Sequence, residues 1–274
     1  MKLEFVKVQG LGNDFILFDQ RERHVPFAKE QIAKWCHRKM GIGADGVIVL
    51  KPSNIATCRM ELFNADGSRA AMCGNALRCI ALVLGIPKIT VETEEGSFPC
   101  VQKEGKIAVE FPVPQVMHWP LDTQQGPLYV VKAGVPHGVA FVQGVGIVPV
   151  VTMGRALRFH PALQPEGANI HFVRVTSQKE VEMCSYERGV EGETLACGSG
   201  AIAVAWIVSK VCEVSFPIHV KMRGGSLIVH LLEGKGTLEM IGPAEHVFSG
   251  TSSAIGLMHD EERGSAAHRS NSFF

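Results

Sequence analysis

Two stretches of the chain are apolar around most of a helical turn. They are "ALRCIALVLG" at 76–85 and "AIAVAWIVSK" at 201–210. A helix that is apolar on every face belongs inside a core rather than on a surface. The order of patterns after each run is similar. A short break leads to a strand pattern, "ITVET" in one case and "SFPIHVKM" in the other. A hairpin pattern comes next, with Glu-Gly in its turn at Glu104-Gly105 and Glu233-Gly234, and each hairpin ends close to a proline, Pro112 or Pro243. The repeat is too long for a solenoid unit. The pattern predicts an α+β fold of two pseudo-symmetric domains. Each is a mixed, mostly antiparallel, barrel-like sheet wrapped around one central buried helix. The expected boundaries are 1–115 plus about 245–257 for the first domain and 116–244 for the second. The segment "PVPQVMH" at 112–118 reads as an extended crossover because of its two prolines. "VAFVQGVGIVPVV" at 139–151 reads as buried strand and turn. The polar tail 258–274 lacks any period and reads as disordered.

Composition then removes whole classes of function. The 27 basic and 27 acidic residues leave a formal net charge of zero. That gives no electrostatic case for nucleic acid or for an anionic membrane. The N-terminus "MKLEFVKVQG" has no apolar run of signal-peptide length. The expected location is the cytoplasm, where the eight cysteines stay reduced. No C-x-x-C or H-E-x-x-H spacing is present, so no metal is expected. Most of the cysteines, such as Cys58, Cys100 and Cys212, read as small buried hydrophobes.

Cys73 and Cys197 read differently. Each stands directly before an apolar run, in "MCGNALRC" and "ACGSGAIA". The first N–H groups of a helix lack partners within it, and the helix dipole places partial positive charge there. A cysteine at that point is expected to have a lowered pKa and a favoured thiolate. Gly74-Asn75 and Gly198-Ser199 leave backbone N–H groups open to a carboxylate. Two facing helix ends would set two sulfurs about one carbon. One sulfur could then take a proton from one face while the other delivers one to the opposite face, inverting the stereocentre.

The stretches "GLGNDF" (10–15), "GIGADG" (41–46), "FNADGSRAAMCGN" (63–75), "GANIHFV" (167–173) and "YERGVEGETLACGSGA" (186–201) resemble the diaminopimelate epimerase family. The likeness covers nearly all of residues 1 to about 257. It implies interconversion of LL- and meso-diaminopimelate without pyridoxal phosphate or any other cofactor, in lysine and peptidoglycan-precursor synthesis. It implies that Cys73 and Cys197 are the two bases, with the site between the halves. By the same resemblance Asn13, Asn64, Asn169 and Arg188 bind the distal amino-acid end of the substrate. Glu187 and His137 tune the cysteines and approach the reacting amine. Gly74-Asn75 and Gly198-Ser199 cradle the reacting carboxylate. The implied partner is a small amino-acid substrate, with a homodimer compatible with the sequence. For Asn64 a plain turn in "NADGS" is the simpler role, for Arg188 a surface ion pair with Glu187, and for His137 a structural histidine.

Three positions depart from the family pattern. Val135 stands where "GNPH" has Asn, Ala76 where Gly is usual, and one extra residue precedes Cys197 in "ERGVEGETLACG". The valine raises the expectation of relaxed specificity toward acidic amino acids. Other readings of the same cysteines are a glutamate, aspartate or proline racemase of the same fold, or a redox-switched amino-acid-binding protein. Proline racemase-like chains carry "CGH" where this one has "CGN". Isomerases of the phenazine-biosynthesis type lack the cysteine pair.

Overall fold

The structure is a computed structural model that describes residues 2–253. The tail read as disordered, 258–274, lies outside the described residues, as does 254–257 of the first predicted domain. Four α-helices occur among the described residues: α1 (Lys29–Cys36), α2 (Gly74–Leu84), α3 (Val150–Arg158) and α4 (Gly198–Val211). The rest is mainly a mixed sheet of 18 short strands.

The sheet repeats its own wiring. In the first half, strand Asn13–Asp19 pairs parallel with Gly46–Lys51, which pairs antiparallel with Cys58–Asn64, which pairs parallel with Lys88–Thr93. In the second half, Val135–Phe141 pairs parallel with Asn169–Ser177, which pairs antiparallel with Glu180–Glu187, which pairs parallel with Ile218–Met222. Each series ends in an antiparallel hairpin, Gly96–Lys103 with Lys106–Pro112 and Gly225–Leu232 with Thr237–Gly242. The predicted hairpins are therefore present. The tight one turns on Glu104 and Gly105, both with positive φ (47° and 77°), as a two-residue primed turn requires.

The two halves are tied together by strands. Lys106–Pro112 pairs antiparallel with Thr237–Gly242. The strand after each of these crosses over: Gln115–Thr123 pairs with Gly126–Ala133, and Glu245–Ser253 pairs with Lys2–Gly10. The proline-flanked segment is thus extended, as its sequence suggests.

The wiring also explains why some strands read as unbroken apolar runs. In "GVIVLK", Val47 and Val49 join the cluster that holds Trp35 of α1, while Ile48 and Leu50 join the cluster around α2. A strand covered on both faces needs no polar side.

Two expectations need correction. Each half carries a second helix, α1 or α3, in addition to its central one. The segment "VAFVQGVGIVPVV" does not end as strand and turn, because Val150 opens α3. Only Val150, Gly154 and Leu157 of α3 are buried, so the helix has one narrow apolar stripe that a short window hides. The central helix α2 is also not apolar all round. It buries Asn75 and Arg78, the latter with no exposed surface.

Candidate active site

Helices α2 and α4 meet end to end. A methyl group added to Gly198 would lie 3.3 Å from the Cα of Gly74, so the two first turns are in backbone contact. Glycine at both positions is what allows this approach. Cys73 and Cys197 are the N-cap residues, both extended, with φ of −147° and −124°. Neither has a side-chain capping bond. Cys197 is buried and Cys73 half-buried, and all eight cysteines are free thiols.

Around Cys73 the neighbours are amides and a guanidinium. Its Sγ lies 3.6 Å from Asn13 Oδ1, which also accepts a bond from Asn75 Nδ2 at 3.1 Å. Asn13 Nδ2 in turn donates to Asp45 Oδ2 at 3.0 Å. Asp45 and Asp14 are both held by Arg38, at 2.7 Å each, and Lys7 closes the group onto Asp14 at 2.6 Å. Although burial opposes it, the hydrogen bonds from Arg38 and Lys7 hold the Asp14 carboxyl at about 2. Asn75 is fixed from below by Arg78, whose Nη2 donates to its Oδ1 at 2.8 Å. The same guanidinium donates to the carbonyls of Pro243 (3.0 Å) and Gly74 (3.3 Å).

Around Cys197 the neighbours are a carboxylate and two imidazoles. Glu187 accepts a hydrogen bond from the hydroxyl of Thr194, and its carboxylate lies close enough to act on the Cys197 thiol. His137 and His171 are fully buried, stacked with centroids 5.1 Å apart, and joined Nδ1 to Nε2 at 2.8 Å. His171 Nδ1 is 2.8 Å from Ser185 Oγ. The Nε2 of His137 is buried without a partner.

The expected low thiol pKa is not what this arrangement produces. Burial raises the pKa of Cys73, as does the Glu187 charge, and the N–H groups of Ala76 and Asn75 offset that only in part. Cys197 is pushed further up, first by burial and then by the charge of Glu187, with only a partial offset from the nearby Gly200 N–H. Desolvation of an anion outweighs a helix end when the end is closed off from water. Burial likewise raises Glu187 and lowers His137 to about 3, so both imidazoles are neutral at ordinary pH.

The other residues singled out from sequence have clear places. Asn169 Oδ1 accepts the backbone N–H of Arg188 at 2.8 Å, and the Arg188 guanidinium donates to the Glu166 carbonyl at 3.2 Å. Among the described residues Arg188 forms no ion pair with Glu187. Asn64 does build its turn: Nδ2 donates to Ser68 Oγ at 2.9 Å, and Asp66 accepts the Ser68 N–H at 2.8 Å. It also faces Gly189 of the second half, about 4.0 Å from a methyl built there. Ser199 is buried at the α4 end. The segment read as one residue longer than the family pattern forms the turn after Glu187, where the Glu191 N–H donates to the Glu187 carbonyl at 2.8 Å. Glu191 there takes φ 52°, and its carboxylate accepts from Tyr186 at 3.0 Å and from Arg158 at 3.4 Å. Cys197 keeps the N-cap place that Cys73 has.

One set of three residues could ligate a metal, since atoms of His137, His171 and Cys197 lie within 4.8 Å of one another. The two histidine nitrogens are 2.8 Å apart. That is shorter than the about 3.3 Å between two nitrogens on one tetrahedral zinc. The pair is built as a hydrogen bond. Arg78, Asp45, His171 and Ser185 were not singled out as site residues from the sequence. Asp45 and His171 lie inside the motif stretches "GIGADG" and "GANIHFV". Arg78 and Ser185 carry no local signal, being single polar residues in apolar surroundings.

The sequence profile described as diaminopimelate epimerase matches residues 5–111 and 129–247. The chain belongs to the diaminopimelate epimerase family. Diaminopimelate epimerase of Pelotomaculum thermopropionicum is 40% identical, covering 90% of this chain and 98% of that protein. The epimerase of Methanothrix thermoacetophila is 39% identical (91% and 95% covered), and that of Aquifex aeolicus 38% (90% and 97%). The same fold recurs in more distant solved structures. A probable proline racemase from Agrobacterium radiobacter superposes with a TM-score of 0.70 at 16% identity, covering 96% of each chain. A PhzF-family phenazine biosynthesis protein from Bacillus anthracis gives 0.68 at 13%, covering 92% of this chain and 99% of that one. Among the described residues no helix is long and apolar enough to cross a membrane.

Proposed function

We propose that this member of the diaminopimelate epimerase family interconverts LL- and meso-diaminopimelate, with Cys73 and Cys197 as the two bases. The observation that carries this is the end-to-end meeting of α2 and α4, which brings two N-cap cysteines to one point. In one direction a thiolate removes the α-proton while the opposite thiol donates its own to the other face. The sulfurs exchange protonation states and the stereocentre inverts. The N–H groups at both helix ends stabilise whichever sulfur is ionised, and a substrate carboxylate can share them. Asn13, Asn64, Asn169 and Arg188 then recognise the distal end, Arg188 by a two-pronged hold on a carboxylate. Because both thiols are held protonated in the free protein, one must be ionised as the substrate enters. Glu187, whose charge acts on both sulfurs, is placed to receive that proton.

In this reading the two halves act as domains, 2–115 with 245–253 and 116–244, and the substrate sits between them. The eight free thiols suit a reducing cytoplasm. The deciding experiment is epimerisation in D₂O, following deuterium at the α-carbon. Cys73→Ala and Cys197→Ala should each lower turnover by about 10²–10⁴-fold or more, with the thermal transition retained. Near-normal epimerisation by either variant rules out the two-base reading.

A further inference from the structure

The polar groups Ser185, His171 and His137 form an unbroken line on three neighbouring strands, passing beside Cys197. His171 is paired across the sheet with Ser185, and His137 sits on the adjoining parallel strand, level with Asn169. The internal repeat shows what these positions hold when only the fold is at stake. Phe15 is level with Gly46 as His137 is with Asn169, and Ile48 faces Leu62 as His171 faces Ser185. The first half thus fills the three equivalent places with Phe15, Ile48 and Leu62, all in the core. The second half buries three polar side chains instead, at an energetic cost that packing alone does not require.

Counting the groups left unpaired decides where the protons sit. Each link in the line carries one proton, and the line can run in two directions. If Ser185 donates to His171 Nδ1, then His171 carries its proton on Nε2 and donates to His137 Nδ1. His137 then carries its own proton on Nε2. The one group left over is that N–H, which makes no hydrogen bond of ordinary geometry, although the Ala133 carbonyl lies near the ring. If the line runs the other way, the Ser185 hydroxyl hydrogen is also left over. Ser185 is 2% exposed, and among the described residues its side chain bonds only to His171. The second arrangement leaves two buried groups unpaired and the first leaves one, and each such group costs about 1–3 kcal/mol.

We propose that Ser185 and His171 are positioning residues that hold His137 as the tautomer with its proton on Nε2, presenting an uncharged N–H donor to an anion at the α4 end. The anion is either the Cys197 thiolate or the substrate carboxylate. Cys197 Sγ and one nitrogen of each ring lie within 4.8 Å of one another. The α4 helix makes room for the line at Gly200. A methyl there would fall 2.4 Å from His171 Cε1 and 2.7 Å from its Nε2. A neutral donor suits a site that must hold an ammonium and a carboxylate together, because it attracts the anion without repelling the cation.

The proposal builds on the two-cysteine reading, but its first test is independent of turnover. In the full chain with ¹⁵N-labelled histidine, ring shifts should show both His137 and His171 as neutral Nε2–H tautomers from pH 5 to 9. The second test is kinetic. Ser185→Ala should shift the His137 ring signals toward a mixed tautomer and lower kcat/KM about tenfold, while Ser185→Thr restores both. A loss confined to kcat identifies the thiolate as the acceptor, and a rise in KM identifies the carboxylate. A wild-type His137 found as the Nδ1–H tautomer or as a cation overturns the proposal. So does a folded Ser185→Ala with unchanged tautomer and kinetics. If Ser185→Ala does not fold, the wild-type ring shifts decide alone. Turnover surviving in Cys73→Ser or Cys197→Ser would sink the two-base reading and leave the tautomer result standing.

Discussion

The two helix ends are built on one backbone plan and furnished with opposite chemistry. Under Cys73 lies a buried guanidinium, Arg78, and the equivalent place after Cys197 holds Ile202. Beside Cys197 lies Glu187, and the equivalent place in the first half, level with Gly46, holds Asn64. Burial raises both thiols and the Glu187 charge opposes a thiolate on either, most strongly on Cys197, while Arg78 gives Cys73 alone a small offset. A symmetric reaction needs two equivalent sulfurs, but a reaction that must start needs one that ionises first. Of the two, Cys73 is raised less and loses its proton the more readily. A helix end by itself does not lower a thiol pKa; the groups packed around the closed end decide.

The largest break in the comparison is to make the first end like the second. Arg78→Ile copies Ile202 but strips the donors from Asn75 Oδ1 and from the carbonyls of Gly74 and Pro243. Removing one member of a buried charged network costs about 3–5 kcal/mol. The expected result is a large drop in denaturation midpoint together with loss of turnover. A variant as stable as wild type would show that the guanidinium is not holding the α2 end together.

The next break concerns position four of each cysteine motif, Ala76 against Gly200. Ala76 is fully buried with its methyl accommodated, whereas a methyl at Gly200 meets the His171 ring. Gly200→Ala should cost about 1–3 kcal/mol as an overpacked site and should also reduce turnover, because His171 must move. Ala76→Gly should lose about 1 kcal/mol from helix propensity and keep turnover. Equal effects at the two positions would remove the asymmetry.

A smaller effect comes from the electrostatics. Alkylation by iodoacetamide should mark Cys73 before Cys197, by about tenfold, read by peptide mass. Both rates should climb with pH beyond the ordinary cysteine value of about 8.5. Glu187→Gln should narrow the gap by removing the charge that raises Cys197. Stability moves with the same groups. A buried thiol with a raised pKa binds its proton more tightly when folded. Its contribution is whole below about pH 8.5 and is lost as pH rises toward the folded value, about 12 for Cys79 and Cys100. The melting temperature should therefore fall on the alkaline side.

Much of this was legible in the chain because the informative signals are local. A cysteine before Gly-Asn or Gly-Ser at the edge of an apolar run marks both helix ends, and the paired Glu-Gly turns mark the repeat. The line of Ser185, His171 and His137 was not legible, because it joins three strands through sheet register. No single window of sequence contains a cross-strand pair. Arg78 escaped for a related reason: one charged residue in "ALRCIALVLG" does not alter an apolar pattern, and its partners lie at Asn75, Pro243 and Met240. The thiol pKa values were misjudged because a helix terminus is visible in sequence and its burial is not.

Val135 is the last difference between the halves, and the repeat gives it a meaning that sequence comparison alone did not. Asn13 precedes Phe15 by two residues at the start of its strand, and Val135 precedes His137 by two at the start of the equivalent strand. Asn13 reaches Cys73 with its Oδ1 and is held from behind by Asp45. Valine at the matching place offers the second half no such acceptor or donor. Replacing it with asparagine should therefore add one polar contact on the Cys197 side, worth about 1 kcal/mol when a substrate group meets it. In this reading Val135→Asn lowers KM for diaminopimelate by about fivefold. It also disfavours shorter amino acids, because the new amide is left unpaired when no distal group arrives. Wild type should correspondingly racemise glutamate or aspartate slowly, with Arg188 holding their side-chain carboxylate. Measuring α-deuterium exchange on all three substrates, in wild type and Val135→Asn, sets the two halves against each other directly. If wild type exchanges diaminopimelate alone and the variant leaves its KM unmoved, the missing amide makes no difference to recognition and specificity resides in the residues the halves do not share.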